Sequence, residues 1–183
     1  MNTFPGSVAY QGLASDCDSI EIYGSVDEYE ASIANVPRES LLVLAALNCD
    51  GEVCNGCLRQ FFHNTTGIFA PEAVVGFELL GFPECARALR EAMALFGVPY
   101  PRGRWERHRI IEELEFPGGD PKLVTEYDPD VNAILNKWHL VTRKPVVEPF
   151  ATMDELYFSV ASGGAIGNAA DAYVTRMGFG EAE

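Results

Sequence analysis

The stretch Gly81–Phe96, GFPECARALREAMALF, decides the fold class. Cys85, Leu89, Ala92 and Phe96 recur at helical spacing, with Arg87, Arg90 and Glu91 on the other faces. Pro83 can take a first helical position, where its missing N–H costs no hydrogen bond, and Glu84 follows where a carboxylate meets the positive end of the helix dipole. Gly81 can close the helix before it in a left-handed turn. The stretch therefore reads as the turn of a helical hairpin followed by its second helix.

The same signature spreads outward in both directions. Pro37, Pro71, Pro121 and Pro129 each precede an apolar periodic segment; Glu72 and Asp130 follow two of them directly, and Asp120 and Asp128 stand as N-caps before two. Ser25-x-x-Glu28 and Thr152-x-x-Glu155 have capping-box spacing. Val131, Ile134, Leu135 and Trp138 form a second apolar stripe. Further helices are expected near 26–35, 38–49, 52–63, 71–81, 103–115, 153–161 and 164–177. SIEIYGSV from Ser19 and KPVVEPF from Lys144 read as short extended pieces, too few to build a sheet. The expectation is an all-α, single-domain multi-helix bundle over 25–178. Residues 1–24 are expected to be a poorly ordered or loosely packed N-terminal segment, and 179–183 a tail.

Composition narrows the function. The chain has 183 residues, 48% of them hydrophobic, which suits one domain with a sizeable core. It carries 27 acids against 13 bases, a net charge of -14 that repels nucleic-acid phosphate and membrane anions alike. MNTFPGSVAYQGLASD lacks the basic and apolar regions of an export leader, and the longest apolar run, Leu41–Leu47, is too short to span a bilayer. A cytoplasmic protein with reduced thiols is expected from this and from the odd count of five cysteines.

Several stretches imitate chemical sites. Cys49-x4-Cys54-x2-Cys57, with Cys85 beyond, matches the thiolate spacing of plant-type iron–sulfur proteins, and Cys54, Cys57 and His63 with one more thiol could serve zinc. Yet Cys85 lies on the apolar stripe of a helix, whereas a cluster needs a loop that wraps four sulfurs around one centre. Cys54-Asn55-Gly56-Cys57 followed by a helical run imitates a thiol-redox motif. Its strand is missing, because the apolar run stops at Leu47. SGGAIGNAADAY, Ser162–Tyr173, imitates a dinucleotide loop but is followed by too few residues to complete the βαβ unit, so it reads as a glycine break between helices. His63, His108 and His139 form no ligand-spaced pair, and no serine sits in a nucleophile elbow. No catalytic residue, cofactor or metal is assigned.

Charge patterning carries the remaining signal. Residues 16–30 hold six acids and no base, and 112–130 hold seven acids against Lys122 alone. PRGRWERHR, Pro101–Arg109, concentrates four arginines and reads as a solvated, ion-paired helix face.

Taken together, Asn55, Gly56, Gln60, Phe61, Phe62, Asn64, Gly67, Pro71 and Glu72 resemble the core motif of a bacterial all-helical family commonly called the DNA-mimic-protein family. Its pattern runs approximately N-G-G-F-x-Q-F-F-x-N-S-x-G and then A-P-E-A. The present chain departs from it at Cys57, where the family has a second glycine, and at Leu58, where it has phenylalanine. Asp154–Phe158 and Tyr173-Val174 resemble later segments of the family. The likeness is closest over 26–97 and extends to 178. It gives no warrant for a metal centre at Cys49, Cys54 and Cys57. In the motif, Phe61 and Phe62 are expected to anchor the core, Gln60 and Asn64 to tie polar backbone at the helix end, and Gly67 to adopt a left-handed turn.

The resemblance implies a non-enzymatic protein-interaction domain whose carboxylates imitate DNA phosphates and occupy a basic DNA-binding protein, with no direct contact to nucleic acid or membrane. A homodimer is compatible with it. The expected acidic surface is Glu112, Glu113, Glu115, Asp120, Glu126, Asp128 and Asp130. The competing reading is a thiol-redox or metal-binding protein using Cys49, Cys54 and Cys57.

Overall fold

The computed structural model describes residues 4–117 and 147–178. They form eight α-helices and no strand: α1 Ser7–Cys17, α2 Val26–Ile33, α3 Arg38–His63, α4 Ala70–Leu80, α5 Pro83–Ala94, α6 Arg104–Glu115, α7 Ala151–Val160 and α8 Ala165–Met177. The expected all-α class is what the chain adopts. The stripe of Val131, Ile134, Leu135 and Trp138, and the caps at Asp120 and Asp128, lie outside the described residues.

The central member is α3, on which α1, α4, α6, α7 and α8 pack, while α5 packs on α4 and α7. By length and composition alone it passes for a bilayer span. Its hydropathy is accounted for by the core, because Leu41, Ala45, Ala46, Cys49, Val53, Leu58, Phe61 and Phe62 enter one buried cluster while Val43 and Leu47 enter a second. Helix α4 crosses α3 so closely that a Cβ on Gly76 would lie 2.1 Å from the Leu42 carbonyl oxygen. Gly81 then turns left-handed with φ 86, Pro83 opens α5, and Phe77 and Cys85 carry the hairpin onto Tyr157 of α7. At the far end of α3, Phe62 meets Phe96 at 4.7 Å and Phe150 at 5.6 Å, ring centre to ring centre.

Four local expectations need correction. The break in the long helical region falls at Gly56 and Cys57, not between 49 and 52; Gly51 is absorbed because it sits on an open face where nothing crowds it. Residues 7–17 are a packed helix rather than a loose segment: Ala9 and Leu13 are fully buried against α3 and α8. Thr152 is not a cap, since α7 starts at Ala151, two residues earlier than expected, and Phe150 occupies the N-cap. Gly67 lies in a 3-10 turn, Thr65–Phe69, with no positive φ. What it requires is closeness, because a Cβ there would stand 2.8 Å from the Phe61 carbonyl oxygen and 2.9 Å from Nε of Arg107. The Ser25–Glu28 capping box, by contrast, forms in full.

Candidate functional site

The motif residues converge on a kink. Gly56 (φ −166, ψ 34) and Cys57 (φ 64, ψ −179) take α3 out of helical geometry, and the chain then resumes as a short helix through His63. A kink of this kind leaves backbone N–H groups without intrahelical acceptors, and these must be satisfied from elsewhere. Asp154 of α7 supplies one acceptor, taking the Leu58 N–H at 2.9 Å. Tyr157, one turn further along α7, donates its hydroxyl to Asp50 at 3.0 Å on the other side of the break. Helix α7 thus holds both arms.

Glu52 closes the kink from the α3 side. Its carboxylate accepts Nε2 of Gln60 at 2.8 Å, Nδ2 of Asn64 at 2.8 Å and the Thr66 hydroxyl at 2.9 Å. Gln60 and Asn64 therefore bind a side chain and not the terminal backbone. Phe61 and Phe62, both fully buried, anchor the core as expected. Glu72, at the start of α4, takes a two-pronged contact from Arg102 at 2.7 and 3.0 Å, while Pro71 sits in the first turn of that helix and Asn55 stays exposed.

The terminal carbonyls of α3 are capped by α6. Arg107, with no exposed surface, donates Nε to the Phe62 carbonyl at 2.9 Å, Nη2 to the Asn64 carbonyl at 2.8 Å and Nη1 to the Arg102 carbonyl. Arg104 donates to the His63 carbonyl at 3.1 Å, and Nε2 of His108 lies 2.5 Å from the same oxygen. A helix C-terminus carries partial negative charge, so arginines are the natural caps for it. The arginine-rich PRGRWERHR is therefore largely a docking element, not a solvated face; within it Arg109 makes the expected exposed pair, with Glu113.

His63 and His108 stack at 3.9 Å, ring centre to ring centre, with a 16° tilt. Burial, then the neighbouring His108, Arg59 and Arg104, push the His63 imidazole down to about 3.

The thiols are all shifted towards their protonated forms. Burial raises the Cys54 and Cys57 thiols, helped by Asp50 beside the first and Asp154 beside the second. Burial also raises Cys49 strongly, and takes Cys17 to about 11 and Cys85 to about 12. A reactive thiol needs the opposite shift, which cations or a helix N-terminus supply. Among the described residues no three His, Cys, Asp or Glu side chains gather as metal ligands.

The expected acidic face is only partly in view. Asp120, Glu126, Asp128 and Asp130 lie outside the described residues, Glu113 is exposed and Glu112 is half-buried. Glu115 is not a surface residue. It is 2% exposed, and both its oxygens are taken by Arg59, whose Nη2 lies at 2.9 Å. The approach to α2 is more open, since Asp18, Glu21, Asp27 and Glu30 are all exposed there.

The class defined by these features is an all-α domain built on a kinked central helix, whose break is locked by Glu52 and α7 and whose C-terminus is capped by arginines. The family described as DMP19-like protein matches residues 34–174, most of the chain, and the protein belongs to that family. Neither a curated protein nor a solved structure matches it. Glu52 is the site residue that sequence reading passed over, while Arg107 and Asp154 entered it only within PRGRWERHR and Asp154–Phe158, with no part in the kink. The signal available for Glu52 was polar Gln60 and Asn64, one turn apart on a helix otherwise given to Phe61 and Phe62.

Proposed function

We propose that this protein is a non-enzymatic interaction domain that occupies the DNA-binding face of a basic protein, with carboxylates standing where phosphates would. The observation that carries the reading is the separation of charge by depth. Arg107 is spent on buried carbonyls, Arg102 mainly on Glu72 and Arg59 on Glu115, while Asp18, Glu21 and Asp27 remain at the surface, with Glu30 reached by Arg102 at 4.0 Å and Glu113 paired with the exposed Arg109. A chain with net charge -14 thus has its outer acids weakly compensated. Such a field steers a cationic partner, and carboxylates on adjacent helices can approach the charge density of a nucleic-acid backbone. Membership of the DMP19-like protein family supports the same reading.

The test is competition. A basic DNA-binding protein captured on the full chain at low salt is returned to duplex DNA, and the full chain is titrated against that complex. Displacement of the DNA, weakening steeply with added salt, is expected. The fourfold variant Asp18→Asn, Glu21→Gln, Asp27→Asn, Glu30→Gln and the pair Glu112→Gln, Glu113→Gln then assign the contact to one acidic face or the other. Failure to capture any DNA-binding protein, or capture indifferent to salt, overturns the reading.

A further inference from the structure

Helix α1 is held in an unusual manner. Its N-cap, Gly6, is left-handed and offers no capping side chain. The acceptor comes instead from α8, where the Asp171 carboxylate takes the Gly6 N–H at 2.8 Å and the Ala9 N–H at 2.7 Å, one on each oxygen. The seat for the preceding turn is lined by glycines: a Cβ on Gly164 would lie 2.7 Å from the Pro5 ring, and one on Gly167 would lie 2.6 Å from the Pro5 carbonyl carbon. SGGAIGNAAD, the stretch that imitates a dinucleotide loop, is therefore a receptor for the start of a helix.

Below that anchor the groove is apolar. Ala9 and Leu13, four residues apart on α1, are its only fully buried side chains, and they meet Val43 and Leu47 of α3 and Ala170, Tyr173 and Val174 of α8. Asp16 adds one tie near the other end, accepting the Ser40 hydroxyl at 2.7 Å. Val8 and Tyr10 of α1 are partly exposed, and Phe4 before it is largely so. An irregular stretch, 18–25, joins α1 to α2, and α1 lies outside the residues that the family match covers, 34–174.

We propose that the α3–α8 groove is a helix-receptor site and that α1 is its exchangeable occupant in cis. The site selects a helix entered through a Pro-Gly turn, with unpaired N-terminal N–H groups for Asp171, a small residue on the contact face and leucine four positions later. Two buried side chains, the cap borrowed from Asp171 and the Asp16–Ser40 bond hold α1, against the many buried residues of α3, so α1 opens without the rest of the bundle. This inference stands apart from the acidic-surface reading.

The test uses the full chain. In the variant Ala9→Asp, Leu13→Asp the native α1 no longer fits, and a fluorescent peptide of residues 4–18 is titrated against it under reducing conditions. Saturable binding is expected. It should be weaker to the wild-type chain by about tenfold or more, because tethered α1 competes at high effective concentration. Adding Gly167→Val or Asp171→Asn to the variant should weaken peptide binding by a similar factor. Hydrogen exchange on the wild-type chain supplies a second readout, with α1 amides exchanging about tenfold or more faster than those of α4 and α5. A folded variant that binds no peptide, a variant that loses its whole fold, or α1 amides as protected as those of α4 would each overturn the proposal.

Discussion

Cys57 sits at φ 64 and ψ −179, a region that L-residues avoid and glycine occupies freely. Holding a non-glycine residue there costs about 1–3 kcal/mol. The family's motif, as read from sequence, carries a glycine at this position, and the backbone explains why. Replacing Cys57 with glycine removes the strain but loosens the unfolded chain, which takes back about 0.5–1 kcal/mol. The half-buried thiol contributes a smaller amount, and a Cys57→Ala control, which keeps the strain and removes the sulfur, measures it. The net expectation is that Cys57→Gly is more stable than Cys57→Ala by about 1 kcal/mol, the middle of a range of roughly 0–2.5 kcal/mol. For a chain of this size that is a rise in Tm of about 2–4 °C per kcal/mol. Urea unfolding under reducing conditions, with equal m values for both variants, gives the comparison cleanly. A lower midpoint for glycine would refute the argument that the kink is strained at this residue.

Glu52→Gln swaps one acceptor oxygen for an amide that faces the donor groups of Gln60 and Asn64, and it removes the charge from three hydrogen bonds. A loss of about 2 kcal/mol in urea unfolding is expected, and a change below about 0.5 kcal/mol would show that solvent replaces those bonds. His63 governs a pH dependence. Its unfolded imidazole titrates near 6.5, while the folded one is pushed down to about 3 by burial and by His108, Arg59 and Arg104. Between those values the unfolded chain binds the extra proton, so this group's contribution is complete above pH 6.5 and is lost as pH falls. The slope is about 1 kcal/mol per pH unit. His63→Gln should flatten the unfolding midpoint between pH 6.5 and 4.5 relative to wild type, and an unchanged slope would contradict the assignment.

The hairpin at Gly81–Pro83 and the Ser25–Glu28 box were legible because each is decided by neighbours in sequence. Turn and cap residues act locally, and the apolar stripe from Cys85 to Phe96 needs no partner to be recognised. The position of the break in α3 was not legible. Gly51 and Gly56 are equally permissive as residues, and only Asp154 and Tyr157, about a hundred positions downstream, decide which of them the helix abandons. Helix α1 was hidden for a related reason, since two buried side chains and a cap borrowed from Asp171 leave almost no periodic signal in its own sequence. The arginines of α6 misled because exposed ion pairs and helix-end caps draw on the same residue types. Only the burial of Arg107 separates them.

The depth at which Arg107 sits has a practical corollary. Mobile ions weaken attractions between exposed charges over about 10 Å at moderate salt, yet buried contacts are screened far less. The cation that ties α6 to α3 is therefore insulated from the buffer, while the outer carboxylates are not. Added salt therefore weakens the field of the outer carboxylates and leaves the ties between α6 and α3 intact, so the two can be varied separately on one folded sample.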